Sequence, residues 1–200
     1  MRIGIYGGTF SPPHIGHIRA AEAFISEMEL DMLIVVPAFC SPGKAGMVQI
    51  NPHQRLDMCS LAFNMAKCHV SDIEIKREGK SYTFLTLKEM KSIYPDSELF
   101  FLIGSDKLTS LHRWKRIEDM IKMCSFVYMK RDGEIESNKK SLDEVSSFCK
   151  QFGVKIRHIS TKTFETSSEI IREKIRCGEN VSHLLTPEVF DYIKENKLYM

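Results

Sequence analysis

Two histidines stand three residues apart, His14 and His17, just after Gly7-Gly8-Thr9-Phe10-Ser11-Pro12-Pro13, which follows the apolar run Ile3-Gly4-Ile5-Tyr6. In a first helical turn that spacing puts both rings on one face, where both donate to the same phosphate oxygens. Gly7 and Gly8, at the carboxyl end of a buried strand, leave room for a nucleotide. Pro12-Pro13 stiffens the turn. A helix opening between His14 and Gly16, with Ile18, Ala21, Ala23, Phe24 and Met28 as its apolar face, points its unsatisfied N–H groups and positive dipole end at whatever lies over the glycines. The competing reading is a Gly-Pro turn with two incidental surface histidines. The joint occurrence of strand, glycines, prolines and helix start favours an anion site.

Three further groups have the chemistry to serve such a site. Thr166-Ser167-Ser168-Glu169, ahead of Ile170-Ile171-Arg172, reads as a capping box, with Thr166 as the cap and Glu169 reaching back. The same helix start, with hydroxyls and Arg172 one turn along, also reads as a second anion cradle. Gly104-Ser105-Asp106 ends the most apolar strand of the chain, where Asp106 either caps a helix or binds ribose hydroxyls. Leu108, Leu111 and Trp114 fall on one helical face, with His112, Arg113, Lys115 and Arg116 around the lone tryptophan. The six cysteines form no C-x-x-C pair and no zinc-ligand grouping, which predicts reduced, semi-buried thiols.

The elements that must position these residues alternate. Strands are expected at Ile3–Tyr6, Met32–Val36, Val70–Ile75, Leu99–Ile103, Ser125–Met129 and Val154–Ile159. Helices are expected after His14, from Asn51-Pro52 through Ala66, from Tyr82 to Pro95, over Lys139–Phe152, from Thr166 to Cys177 before Gly178, and from Thr186-Pro187 to Asn196. Ala38–Ile50 is a long loop, and Lys130–Lys140 a solvated excursion. The pattern predicts one domain over residues 1–200: an α/β, open, doubly wound parallel sheet with helices on both faces. Its ligand site should lie beyond the carboxyl ends of the strands, where strand order reverses. The 43% apolar content suffices for one core, and 28 basic against 26 acidic residues leave a charge of only +2. No global field draws the chain to nucleic acid or acidic membranes. No run approaches the roughly 18 apolar residues of a membrane span, so a cytoplasmic protein is expected; a homo-oligomer is left open.

With these motifs in view, GGTF-x-PPH-x-GH resembles the signature of the H-x-G-H nucleotidyltransferase superfamily, and its PPHIGH form is most similar to bacterial nicotinate-nucleotide adenylyltransferases. The resemblance extends to Gly104, Asp106, Leu108, Leu111 and Trp114 (G-x-D-x-L-x-x-L-x-x-W), to Ser81-Tyr82-Thr83 with Thr86-Leu87 (S-Y-T-x-x-T-L), and to Ser167, Ser168, Ile171 and Arg172 in the C-terminal signature I-S-S-T-x-I-R. It therefore implies a Rossmann-like nucleotidyltransferase fold whose C-terminal helices, from about residue 166, complete the nucleotide site. It implies ATP binding by Gly7, Gly8, Thr9, Phe10, His14, Gly16, His17, Lys44, Gly104, Asp106, Ser167, Ser168 and Arg172, with His14, His17 and Arg172 catalytic. Acceptor binding is implied for Lys44, Tyr82, Thr83, Thr86 and Trp114, the tryptophan stacking on the pyridine of nicotinate mononucleotide. Mg²⁺ arrives with ATP and needs no protein metal site. Ser11 stands where members commonly carry Asp, and Thr166 and Glu169 also depart from the pattern. The implied reaction is adenylyl transfer from ATP to nicotinate mononucleotide in NAD biosynthesis. The alternatives are transfer to nicotinamide mononucleotide or phosphopantetheine, or an ATP sensor without turnover.

Overall fold

The computed structural model describes residues 1–41, 50–108, 110–130, 139–154, 156–160 and 166–200, with the side chains of Ser105, Asp106, Lys130 and 139–145 outside that description. In order, the elements are β1 (Arg2–Gly8), α1 (Ile15–Glu27), β2 (Met32–Pro37), α2 (Pro52–Ala62), β3 (Cys68–Val70), α3 (Ile73–Arg77), α4 (Thr83–Ile93), β4 (Glu98–Gly104), α5 (Ser105–Leu108), α6 (Ile117–Met123), β5 (Ser125–Lys130), α7 (Lys139–Phe152), β6 (Arg157–Ser160), α8 (Ser168–Arg176) and α9 (Pro187–Glu195).

The strands form one parallel sheet in the order β3-β2-β1-β4-β5-β6. Strand order therefore reverses between β1 and β4, leaving a crevice above their carboxyl ends. Alternation along each strand divides the core. Tyr6, Leu33, Val35, Phe100, Leu102 and Val127 join α1, α2, α8 and α9 on one face, while Ile3, Ile5, Ile34, Phe101, Ile103 and Phe126 join α4, α6 and α7 on the other. Each fully buried Leu or Phe contributes about 1.5–3 kcal/mol. Gly4 lets α1 lie close to the sheet, since a Cβ there would stand 2.4 Å from Leu30 Cδ1 and 2.8 Å from Phe24 Cε1.

Local chemistry sets most boundaries. Asn51 caps α2 by accepting from His53 N, Gln54 reaches back to the Asn51 N–H, and Pro52 occupies the first turn. Thr186 caps α9 by accepting from Val189 N, with Pro187 in the first turn. Five expectations are corrected. Ile73–Ile75 is helical, as the start of α3. Helix α2 ends at Ala62, so Ala66 lies beyond it, and β6 begins only at Arg157. The expected helical face through Leu108, Leu111 and Trp114 is broken into α5, a 3-10 turn at Leu111–Arg113 and an extended Trp114. Finally, Ser167 rather than Thr166 caps α8, accepting from Ile170 N at 3.2 Å, and Glu169 is exposed in the first turn without a capping-box bond. Among the described residues, no helix is long and apolar enough to cross a membrane.

Candidate active site

His14 is the N-cap of α1 and takes part in a reciprocal pair. Its Nδ1 accepts from Gly16 N at 3.1 Å, and His17 Nδ1 accepts from the His14 backbone N–H at 3.2 Å. This is a capping box built from two imidazoles. Each neutral ring must hold its proton on Nε2 to keep Nδ1 an acceptor, so each presents the Nε2–H as its donor. The ring centroids are 3.7 Å apart, and His17 meets the Phe10 ring edge-on at 5.1 Å. The pair thus sits at the positive end of a 13-residue helix, tautomers fixed by backbone.

The glycine turn is shaped by its own aromatic residue. Phe10 has φ +49° and is buried against Tyr6 and Phe63, and its ring lies 2.7–3.0 Å from where a Gly8 Cβ would be. Gly8 thus accommodates Phe10 as well as a ligand, while the buried Phe10 side chain serves packing. The turn is held from several elements. Arg55, 2% exposed on α2, donates to Thr9 O at 2.8 Å and Phe39 O at 3.0 Å. Burial lowers its pKa. Thr9 Oγ1 lies 2.9 Å from Ser41 Oγ. From α8, Ser168 Oγ donates to Pro12 O at 2.9 Å and Arg172 Nη1 to Ser11 O at 2.8 Å. Ser11 is buried, with its Oγ 3.0 Å from Tyr199 Oη. This side chain thus makes a hydroxyl-to-hydroxyl contact with the C-terminal segment.

Above the β1/β4 crevice lies a cavity of about 510 Å³, within the roughly 300–1,000 Å³ of small-molecule sites. Gly7, Gly8 and Thr9 line one side, Gly104 the β4 end, and Tyr82, Thr83 and Trp114 the opposite wall. Ser81 ties that wall to the segment after β2, donating its N–H to Cys40 O and accepting from Cys40 N. Lys115 Nζ stands 4.9 Å above the Tyr82 ring, and Arg116 covers Phe84 at 4.0 Å. Trp114 is half-buried, edge-on to Phe101 and Phe126, and still lines the cavity.

Of the expected residues, the glycine turn, Gly104, Tyr82, Thr83 and Trp114 meet at this cavity. His14, His17, Ser168 and Arg172 gather around the same turn without lining it. Thr86 is buried and uses its hydroxyl differently: it donates to Glu74 and accepts from Arg77 at 3.2 Å. Lys44 and the Asp106 side chain lie outside the described residues. Sequence reasoning missed Glu74, Lys107 and Lys115, all of which line the cavity. The expected strand at Val70–Ile75 assigned Glu74 no role; in the helical turn of α3 it is 6% exposed. Lys115 carried a signal in its place beside the lone tryptophan.

The cytidylyltransferase-like family model matches residues 5–174. A probable nicotinate-nucleotide adenylyltransferase of Thermoanaerobacter sp. is 38% identical over 201 residues, covering 100% of this chain and 94% of the relative. The chain belongs to the nicotinate-nucleotide adenylyltransferase family. A probable nicotinate-nucleotide adenylyltransferase of Shouchella clausii is another member, 36% identical, with 99% of this chain and 96% of its own length covered. The fold of the family member described here is also that of Plasmodium falciparum nicotinic acid mononucleotide adenylyltransferase. The solved complex of that protein with NaAD aligns with a TM-score of 0.75 at 22% identity, covering 99% and 97% of the two chains. Its complex with APC gives 0.74 at 23% identity, covering 99% and 96%.

Proposed function

We propose that this protein transfers the adenylyl group of ATP to nicotinate mononucleotide, giving nicotinate adenine dinucleotide and pyrophosphate. The observation that carries the reading is the cavity bounded by Gly7–Thr9 on one side and by Tyr82, Thr83 and Trp114 on the other, beside a helix start built from two histidines. The acceptor's phosphate oxygen forms a bond to the α-phosphorus, and the α–β bridging P–O bond breaks with its electron pair leaving on pyrophosphate. The attacking oxygen is already ionised, so the protein's part is alignment and charge stabilisation.

His14, His17 and Arg172 supply neutral and cationic donors around the turn, with Ser167 and Ser168 at the second helix start. Lys44 and Asp106 belong to the ATP side by resemblance. Tyr82, Thr83 and Trp114 form the acceptor wall, and Thr86 acts behind it by holding Glu74. That donor set suits a triphosphate already carrying Mg²⁺, which would draw its ligands from ATP oxygens and water and neutralise charge on the leaving group. We place the enzyme in the cytoplasm, where its nucleotide substrates are.

Pyrophosphate release from MgATP, measured with nicotinate mononucleotide, nicotinamide mononucleotide and phosphopantetheine in turn, tests the reading. Release with the first and little with the others is expected. Preference for another acceptor would change the substrate, and release with none would leave an ATP-binding protein without turnover.

A further inference from the structure

Besides the Thr9–Ser41 hydroxyl contact, four contacts among the described residues hold the turn that leads into the histidines, and they come from distant parts of the chain. Arg55 takes the carbonyl of Thr9, Arg172 that of Ser11 and Ser168 that of Pro12. The fourth joins side chains, Ser11 Oγ to Tyr199 Oη, across 188 residues. Ser11 is 3% exposed and Tyr199 7%, so neither hydroxyl has a ready substitute in water. Tyr199 also holds a left-handed backbone, φ +64°. A bulky residue there is strained and persists only where its surroundings over-determine it. Burial pushes the phenol well above its ordinary value despite Arg172 and Arg55 nearby, so it stays protonated at neutral pH.

We infer that Tyr199 is a positioning residue for adenylyl transfer: by holding the Ser11 hydroxyl it fixes the backbone to which Arg172 is bonded and which runs directly into His14. Ser11 connects three things: its carbonyl receives Arg172, its hydroxyl meets Tyr199, and its carboxyl side leads through Pro12 and Pro13 to the histidine cap. Freed from Tyr199, that residue shifts Arg172 and the histidines together, and catalysis by alignment is sensitive to displacements below 1 Å. Substrate contacts on the Trp114 wall are untouched. The inference rests on the transfer reaction proposed above.

Tyr199→Phe keeps the buried ring and deletes the hydroxyl; Ser11→Ala deletes the other partner. Each should lower kcat about tenfold with the KM for nicotinate mononucleotide near wild type, and the double variant should be no slower than either single one. Amide exchange should rise in residues 9–17 of both variants, a readout that needs no turnover. Unchanged kcat, additive losses, or a loss matching only the unfolded fraction would overturn the inference. If wild type itself releases no pyrophosphate, the transfer reading fails, and unchanged exchange in both variants would then sink the positioning claim separately.

Discussion

His14 caps α1 and, in the reaction proposed above, is also a donor; substitution separates the two roles. Its Nδ1 closes the first turn of α1 by accepting from Gly16, while its other nitrogen is the donor a phosphate would use. Asparagine is among the best N-cap residues but has no imidazole. His14→Asn should therefore keep the melting temperature near wild type while pyrophosphate release falls at least tenfold, a donor to developing charge being worth about 10²-fold or more. His14→Ala should lose both, with about 1 kcal/mol of stability gone with the cap. Thermal melts run beside the turnover assay compare the two variants; a melting loss in His14→Asn matching that of His14→Ala would show that the imidazole acts in the fold alone. Spacing was enough to place the two histidines on one face. Their reciprocal use of backbone donors was not legible, because it depends on which ring nitrogen turns inward.

Helices and strands were legible where one local signal dominated. Strands β1, β2, β4 and β5 are continuous apolar runs because both faces of a parallel sheet are covered. Helices α2 and α9 are announced by cap and proline. The misread elements are short ones stabilised from elsewhere: α3 contributes Ile75 and Glu74 to the interior in one turn, and Trp114 leaves helical geometry to lie against Phe101 and Phe126. Close approach between elements is equally hidden, since nothing in Ile3-Gly4-Ile5 says which side chain passes over the glycine. In the fold it is Leu30 and Phe24, so Gly4→Ala must displace these two buried side chains. Overpacking of this kind costs about 1–3 kcal/mol. Urea unfolding should show a lower midpoint at unchanged slope; an unaltered midpoint would mean that the two side chains move aside freely.

Across the whole molecule, one sheet separates two cores, and the cysteines provide a probe in each. Cys59 lies buried among α1, α2 and α9 on one face, and Cys124 lies buried behind α6 on the other. Burial raises both thiols well above the ordinary value, Cys59 despite the opposing charge of Arg55, and raises Cys68 to about 11. A raised thiol pKa leaves little thiolate at neutral pH, and alkylation requires the thiolate as well as access. At pH 8 in the native state, exposed Cys177 should label first, with Cys59 and Cys124 silent. The two silent thiols then report on cooperativity. Each core closes against the same strands, so losing the helices of either face uncovers one side of the sheet that supports the other core. Residues 1–200 are accordingly expected to unfold as one unit. Pulsed alkylation through a urea series, read by mass spectrometry, should expose Cys59 and Cys124 at one midpoint, coincident with the change in Trp114 fluorescence. Two separated midpoints would divide the chain into independently stable parts and overturn the single-domain expectation. Coincidence would also mean that the glycine turn, tied to α2 by Arg55 and to α8 by Ser168 and Arg172, keeps its geometry until the whole fold is lost.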